Sequence, residues 1–566
     1  MSISSSSCAA PAPATPSLND TVAILSEIWN TNAASPVILE RIHAYVKTQL
    51  PQSIKNYQTA HAERETRKKS LELFADEFTE SFLNRNKYFY SPHSELYFTY
   101  HNQVRYSLIH EDEIHHRILA DITASDFLSA TATTSTTKYR IKNKVIKSIQ
   151  SSRDILSSIP ESRTIQNIIG LLYPTLFHTR DHAKYFLTIL GDVILKKTAP
   201  LIYFVPVLLK EFIKDLANEC YALFGCTANS FSTAFKFKYY EHQYNDCRLV
   251  DIRGTQASSS AGFMLRLSNM PELRESIIDL FCVAAHYSHR FGSADDFLRL
   301  HCKTPEVSSH AWFLRDRSET QIIDEFMNYA TEPASSDHEI SMTNMMYLWK
   351  MYLSEFRLPS VFFAATLRAK LACIASPSST PDIIPNRTSK YLPLVSQFRQ
   401  FWSECCFTDD REIELEIDEL STLFNEYATP TSGSVAAASD TALLGMLRHF
   451  YPDVIIDDDK YILNVGCKLW DKPTEINDYL EQYKQQCLLN NLSFPQPLYN
   501  AYEYYCGRCY ATVKRRIISK RYFEKYFMEE YADYIDENGM ITIKWWMVGV
   551  TEDDYVDADA DIHTLS

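Results

Sequence analysis

Seven cations crowd one short stretch of this chain. Arg508, Lys514, Arg515, Arg516, Lys520, Arg521 and Lys525 lie between Ala501 and Lys525, where the only acids are Glu503 and Glu524. The stretch therefore carries a surplus of +5 inside a chain of formal net charge −15. Cations grouped this way can pair with phosphates, which position a nucleic acid without reading its sequence. The same grouping also suits a solvated basic face on an ordinary helical subdomain, or a surface that docks another protein.

Other constellations fall short of a site. Cys506 and Cys509 have the spacing of half a zinc site, but no second pair follows at a suitable distance. The run His110 to His116 has metal-ligating residue types, yet Ile114 stands where a His-Glu-x-x-His motif needs its second histidine. Glu412, Glu414 and Glu416, and the run Asp457-Asp458-Asp459, could hold magnesium as nuclease sites do. Neither has a lysine or histidine at a catalytic spacing, so both are expected to be solvated acidic surface. A P-loop needs a Gly-Lys step, and none of the 12 glycines is followed by lysine. No two glycines stand two apart, which removes the Rossmann and kinase fingerprints, and no Gly-x-Ser-x-Gly elbow exists. No cofactor, metal or catalytic residue is expected, although an unrecognised nuclease or transferase stays open.

The elements around the cations read as follows. Leu498 to Cys506 is helix-compatible up to Gly507, and Arg515 to Ile518 is short and β-branched, as an edge strand would be. Ser519 can cap a helix from Lys520 to about Tyr534. Within it Tyr522, Phe523, Tyr526, Phe527 and Tyr531 recur three and four apart and form one apolar face. Asp536-Glu537-Asn538-Gly539 signals a tight turn, and Met540 to Trp546 alternates as a strand. Helix, strand, helix, turn and strand is the order of a winged-helix-like module. Lys520, Arg521 and Lys525 would open its groove-facing helix.

The rest of the chain bounds the answer. Its 566 residues suit several domains, and 45% hydrophobic content suffices for sizeable cores. Scarce glycine and 13% aromatic content agree with a mainly α fold. The expected layout is a disordered tail over 1–20 and an N-terminal helical region with a β-hairpin over 21–128. A small central α/β region over 138–255 and a helical domain over 263–427 follow. The winged-helix-like domain spans 440–550 and an acidic tail 551–566. Thirteen scattered cysteines and no signal-like N-terminus point to reduced thiols in an intracellular protein, not a secreted one. No uncharged apolar run of about 18 residues exists, so no membrane partner is expected.

Several strings resemble uncharacterised proteins of nucleocytoplasmic large DNA viruses. They are Glu111-Asp-Glu-Ile-His-His116, Ile159-Pro-Glu-Ser-Arg-Thr-Ile-Gln166, Leu172-Tyr-Pro174, Ala183-Lys-Tyr-Phe-Leu-Thr-Ile-Leu-Gly-Asp192 and Ser519-Lys-Arg-Tyr-Phe-Glu-Lys525. The layout is also similar to poxvirus-type primase-helicases, in which a helical domain leads into the strand and P-loop of a helicase, with a winged helix near the end. Leu201 to Val205 would take the strand's place and Pro206 to Phe212 the P-loop's. With no glycine there, ATPase activity is not implied. The resemblance implies an accessory protein of viral replication or transcription in the host cytoplasm or nucleus. Such a protein would be non-catalytic, bind DNA rather than RNA, and work beside other viral replication or transcription proteins. The alternative is a structural or interaction protein whose C-terminal module docks another protein.

Overall fold

The structure is a computed structural model. It describes residues 17–101, 104–124, 135–151, 154–197, 201–226, 228–239, 242–253, 265–335, 337–374, 382–408, 414–428, 438–489, 495–511 and 516–547. Helices dominate these residues, and the strands form several small sheets. The chain divides into two compact units: Met1–Tyr100 with Ser107–Asp154, and His101–Tyr106 with Ile155–Ser566.

In the first unit, helix Leu18–Thr31 begins inside the stretch expected as a tail, because Ser17 caps it by accepting from Asn19 N. Helices Pro36–Ala44 and Leu50–Arg85 run on through a π-helical turn, Tyr45–Gln49. That turn precedes Pro51, which has no N–H to donate back into an α-helical ladder. The core lies further along. Ile114, Ile118 and Ile122 on helix Glu111–Ala124 meet Ile141, Val145 and Ile149 on helix Ser135–Gln150, around Phe82. Each isoleucine row repeats every four residues, so it lines one helix face. The expected hairpin is present as strands Leu96–His101 and Arg105–Ile109, with Tyr88–Ser91 as a third strand. The interval 129–137, between the regions expected over 21–128 and 138–255, falls mostly outside the described residues, and its last three positions are helical.

In the second unit, helix Arg180–Ile194 is buried along almost its whole length and packs on helix Ile277–Phe291. Gly191 lets their backbones touch: a Cβ there would stand 2.1 Å from Ala284 O. The central sheet is parallel, with Ile202–Phe204 between Phe235–Lys236 and Cys247–Leu249. Parallel pairing needs a crossover, which helix Lys210–Phe224 supplies, ending at Gly225 in the left-handed region (φ 69°).

The C-terminal part differs from expectation. One core runs from Val395 to Trp545, and two small sheets tie the expected helical domain to the residues after 440. Cys406–Thr408 pairs with Val465–Cys467, and Glu414–Glu416 pairs with Tyr461–Leu463. The winged-helix order is not what forms. Residues 516–519 are extended coil without a strand partner in the described chain, and Gly507 lies inside helix Leu498–Ala511. Only Met540–Ile541 is a strand, paired with Gln496–Pro497, and Ile543–Met547 turns into a helix. Local alternation suggested a strand through Trp546. Burial of Trp545 against Phe527 and Tyr531 decides for the helix.

Candidate functional site: a cleft beside the Lys520 helix

The basic helix forms as expected. Ser519 Oγ accepts from Tyr522 N at 3.3 Å and caps Lys520–Glu530. Tyr522, Phe523 and Phe527 are buried beneath it, and Tyr526 and Tyr531 half-buried. Its cations, however, have carboxylate neighbours. Lys520 stands 3.5 Å from Glu524, and Lys525 stands 3.9 Å from Glu529. Arg521 Nε is 3.3 Å from Glu414, and its guanidinium lies 3.9 Å from the centre of the Tyr461 ring. Arg516 is bonded to Glu426 and donates to Leu469 O at 2.8 Å. Arg508 is exposed on the preceding helix, while Lys514 and Arg515 lie outside the described residues.

The acidic run is where the sequence misled. Glu412 lies outside the described residues, but Glu414 and Glu416 form a strand and are 3% and 4% exposed, not solvated surface. Their strand is at the edge of its three-stranded sheet, with strand Val465–Cys467 against it. Glu416 is matched by Lys460 at 3.0 Å. Glu419, one turn into the next helix, accepts from Lys472 Nζ at 2.6 Å and from Glu416 N at 2.9 Å. Burial raises the Glu419 carboxyl above its ordinary range, against the pull of Lys472. The Lys472 ammonium also donates to Glu414 O at 3.1 Å and lies 4.4 Å from the Tyr522 ring centre. Lys472 was invisible as a partner because 53 residues separate it from Glu419.

These elements enclose a cleft of about 570 Å³. Glu414 and Leu415 form its floor, with Val465 to Cys467 alongside. Trp470 makes one wall, held by Nε1 donating to Glu475 at 2.9 Å. Tyr522 and Tyr526 make the other, nearly parallel at 6°. Glu529 and Glu530 stand at the rim with Lys525. Although Arg521 is near, no hydrogen bond reaches either carboxylate oxygen of Glu414. Both oxygens are closed to solvent, and Arg521 is the cation that faces them.

The other sequence candidates do not assemble. Cys509 is buried and Cys506 half-buried on one helix, and His115 pairs with Glu111 at 3.2 Å. Among the described residues, no group of three or more His, Cys, Asp or Glu is placed to hold a metal ion. No helix among them is long and apolar enough to cross a membrane. No known protein family, curated protein or solved structure matches this chain.

Proposed function

We propose that this is a non-catalytic interaction protein whose C-terminal cleft receives a basic segment of a partner protein. The observation that carries the reading is the cleft itself, walled by Trp470, Tyr522 and Tyr526 and rimmed by the exposed carboxylates Glu529 and Glu530. An arginine or lysine side chain entering from solvent would meet the rim carboxylates, and a guanidinium can donate twice to one of them. The Trp470, Tyr522 and Tyr526 walls would stack on such a cation. Two of the three lysines of the lining are matched by carboxylates. Lys472 is neutralised by Glu419, Lys468 donates to Glu404 O at 2.9 Å, and Lys525 faces Glu529. The net charge of −15 would steer a basic partner inward.

Nucleic-acid binding by the same region, as in a viral replication or transcription accessory protein, is the competing outcome. Its support is that Lys520 and Arg521 keep half-exposed side chains, and surface ion pairs are weak enough for phosphates to displace. Fluorescence anisotropy separates the two. A labelled arginine-rich peptide, a DNA duplex and a single strand would be titrated at two salt concentrations against the parent chain. The same titrations would use Glu529→Gln/Glu530→Gln and the Lys520→Ala/Arg521→Ala/Lys525→Ala triple variant. The cleft reading expects peptide binding that falls about 10-fold in Glu529→Gln/Glu530→Gln, the loss of a charge-assisted pair. Binding of DNA without peptide, reduced in the triple variant and with a flattened salt slope, would replace it with the nucleic-acid reading.

A further inference from the structure

Two thiols face each other on the edge of this cleft. Strand Cys406–Thr408 pairs antiparallel with Val465–Cys467, and in that register Cys406 stands directly opposite Cys467. The neighbouring ladder bond runs from Lys468 N to Cys405 O at 2.8 Å. Cys406 and Cys467 are therefore a non-hydrogen-bonded pair, the kind whose side chains come closest, with Cα atoms typically about 4.5 Å apart. That spacing lies within the range a disulfide spans. Both are free thiols; Cys467 lines the cleft and is buried, and Cys406 is half-buried.

We propose that Cys406 and Cys467 form a peroxide-responsive thiol pair, in which Cys467 is the reacting thiol, Cys406 the resolving one, and the product a cross-strand disulfide. The proposal does not depend on what the cleft binds.

The chemistry balances with a hydroperoxide as the two-electron oxidant. The Cys467 thiolate attacks one peroxide oxygen, the O–O bond breaks, and protonation of the leaving oxygen releases water (or an alcohol from an organic peroxide). The resulting Cys467 sulfenic acid is attacked by Cys406, its hydroxyl leaves as a second water, and the S–S bond forms. The surroundings divide the roles. The Cys406 thiol donates to Cys467 and, against burial, lowers the Cys467 thiol to about 7. Leu469 N–H and the charges of Arg516 and Lys468 act in the same direction. The same hydrogen bond, with burial, pushes the Cys406 thiol up, so it stays protonated until Cys467 has reacted. A thiol near 7 combines thiolate population with retained nucleophilicity. Cys405 is the competitor to test. It is adjacent in sequence and buried, and burial raises its thiol.

The test uses the full chain, treated with hydrogen peroxide at pH 7, blocked with an alkylating agent, digested and mapped by mass spectrometry. The expected product is a Cys406–Cys467 linked peptide, formed at doses below those that oxidise exposed Cys373. Cys406→Ser should instead accumulate a Cys467 sulfenic acid that dimedone traps, several-fold above the parent. Cys405→Ser should leave the linkage unchanged. Alkylation of Cys467 in the untreated chain should follow thiolate formation, half-maximal near pH 7. A Cys405–Cys467 linkage, absence of any linkage when Cys373 is oxidised, or equal dimedone labelling in parent and Cys406→Ser would overturn the assignment. The linkage and alkylation profile are read in the parent chain, so a poorly folding variant does not blunt the test.

Discussion

Buried titratable side chains tie the stability of this protein to pH in two opposing ways. Asp192 accepts from Ser288 Oγ at 2.5 Å and from Ala294 N at 2.8 Å, with Lys197 and Asp295 nearby. Burial dominates and raises its carboxyl from 3.8 to about 6. Asp279, bonded to Tyr106 N, is raised to about 6 for the same reason. His182 is shifted the other way, from 6.5 to about 4. Burial disfavours its cation more than Asp251 at 3.8 Å can restore it, and His178, His310 and Arg357 add to the lowering. The signs follow from which state holds more protons. Between about pH 4 and 6 the native state keeps the Asp192 proton that the unfolded chain has lost, so stability falls as pH rises. Between about 4 and 6.5 the unfolded chain holds the His182 proton that the native state rejects, so stability rises with pH. Each group is worth about 3 kcal/mol, so His182 offsets about one of the two aspartates. Single variants uncover them. The stability of Asp192→Asn minus that of the parent should increase from pH 4 to 6, and that of His182→Gln minus the parent should decrease from pH 4 to 6.5. Urea unfolding at half-unit pH intervals measures both, and parallel curves for variant and parent would remove the assignment.

At the scale of elements, one glycine sets how closely two helices approach. Gly191 sits where helix Arg180–Ile194 meets helix Ile277–Phe291, and a Cβ there meets Ala284 O at 2.1 Å and Ala284 C at 2.6 Å. Those are backbone atoms, so relief requires the helices to separate along a face that is buried on both sides. Gly191→Ala is expected to cost about 3 kcal/mol or more, the upper end of overpacking penalties. Gly170, inside helix Ser162–Leu172, has nothing within 4 Å of its would-be Cβ. Gly170→Ala should therefore stabilise by about 0.5–1 kcal/mol through helix propensity alone. Chemical-denaturation midpoints of the two variants should move in opposite directions. A neutral Gly191→Ala would mean the two helices are not in backbone contact.

At the scale of the whole molecule, burial is unevenly distributed. No described residue before Ala75 is buried, and Leu18, Val22, Ile24, Val37 and Ile54 keep about half or more of their surface exposed. Stability follows apolar burial, so the first helices add little to it. Removal of Met1–Lys69 should leave the main thermal transition within about 2 °C of the parent. A drop several times larger, by scanning calorimetry, would show that these helices hold the core together.

How much of this was legible in sequence depends on the range of the interaction concerned. Local rules placed Ser519 as the cap of the Lys520 helix, and Tyr522, Phe523 and Phe527 on its apolar face. Each rests on neighbours within about one turn, where spacing and side-chain chemistry carry the information. The short elements failed where tertiary packing overrode local pattern. Arg516 to Ile518 has the composition of a strand but no partner strand among the described residues, and alternation at Met540–Trp546 gave way to the burial of Trp545. The acidic run was misread because carboxylates are rarely buried without partners, and its partners Lys460 and Lys472 lie over 40 residues away.

The sequence by itself determined a mainly helical protein, the position and capping of its basic helix, and the absence of glycine-dependent phosphate-binding motifs. Periodicity, caps and motif spacing are all short-range. Only the tertiary structure decided that Glu414 and Glu416 are interior, that the basic helix turns its cations toward carboxylates, and that Cys406 stands opposite Cys467. These depend on strand register and on burial between residues distant in the chain. A register shift of one residue would turn every one of those side chains to the other face of its sheet.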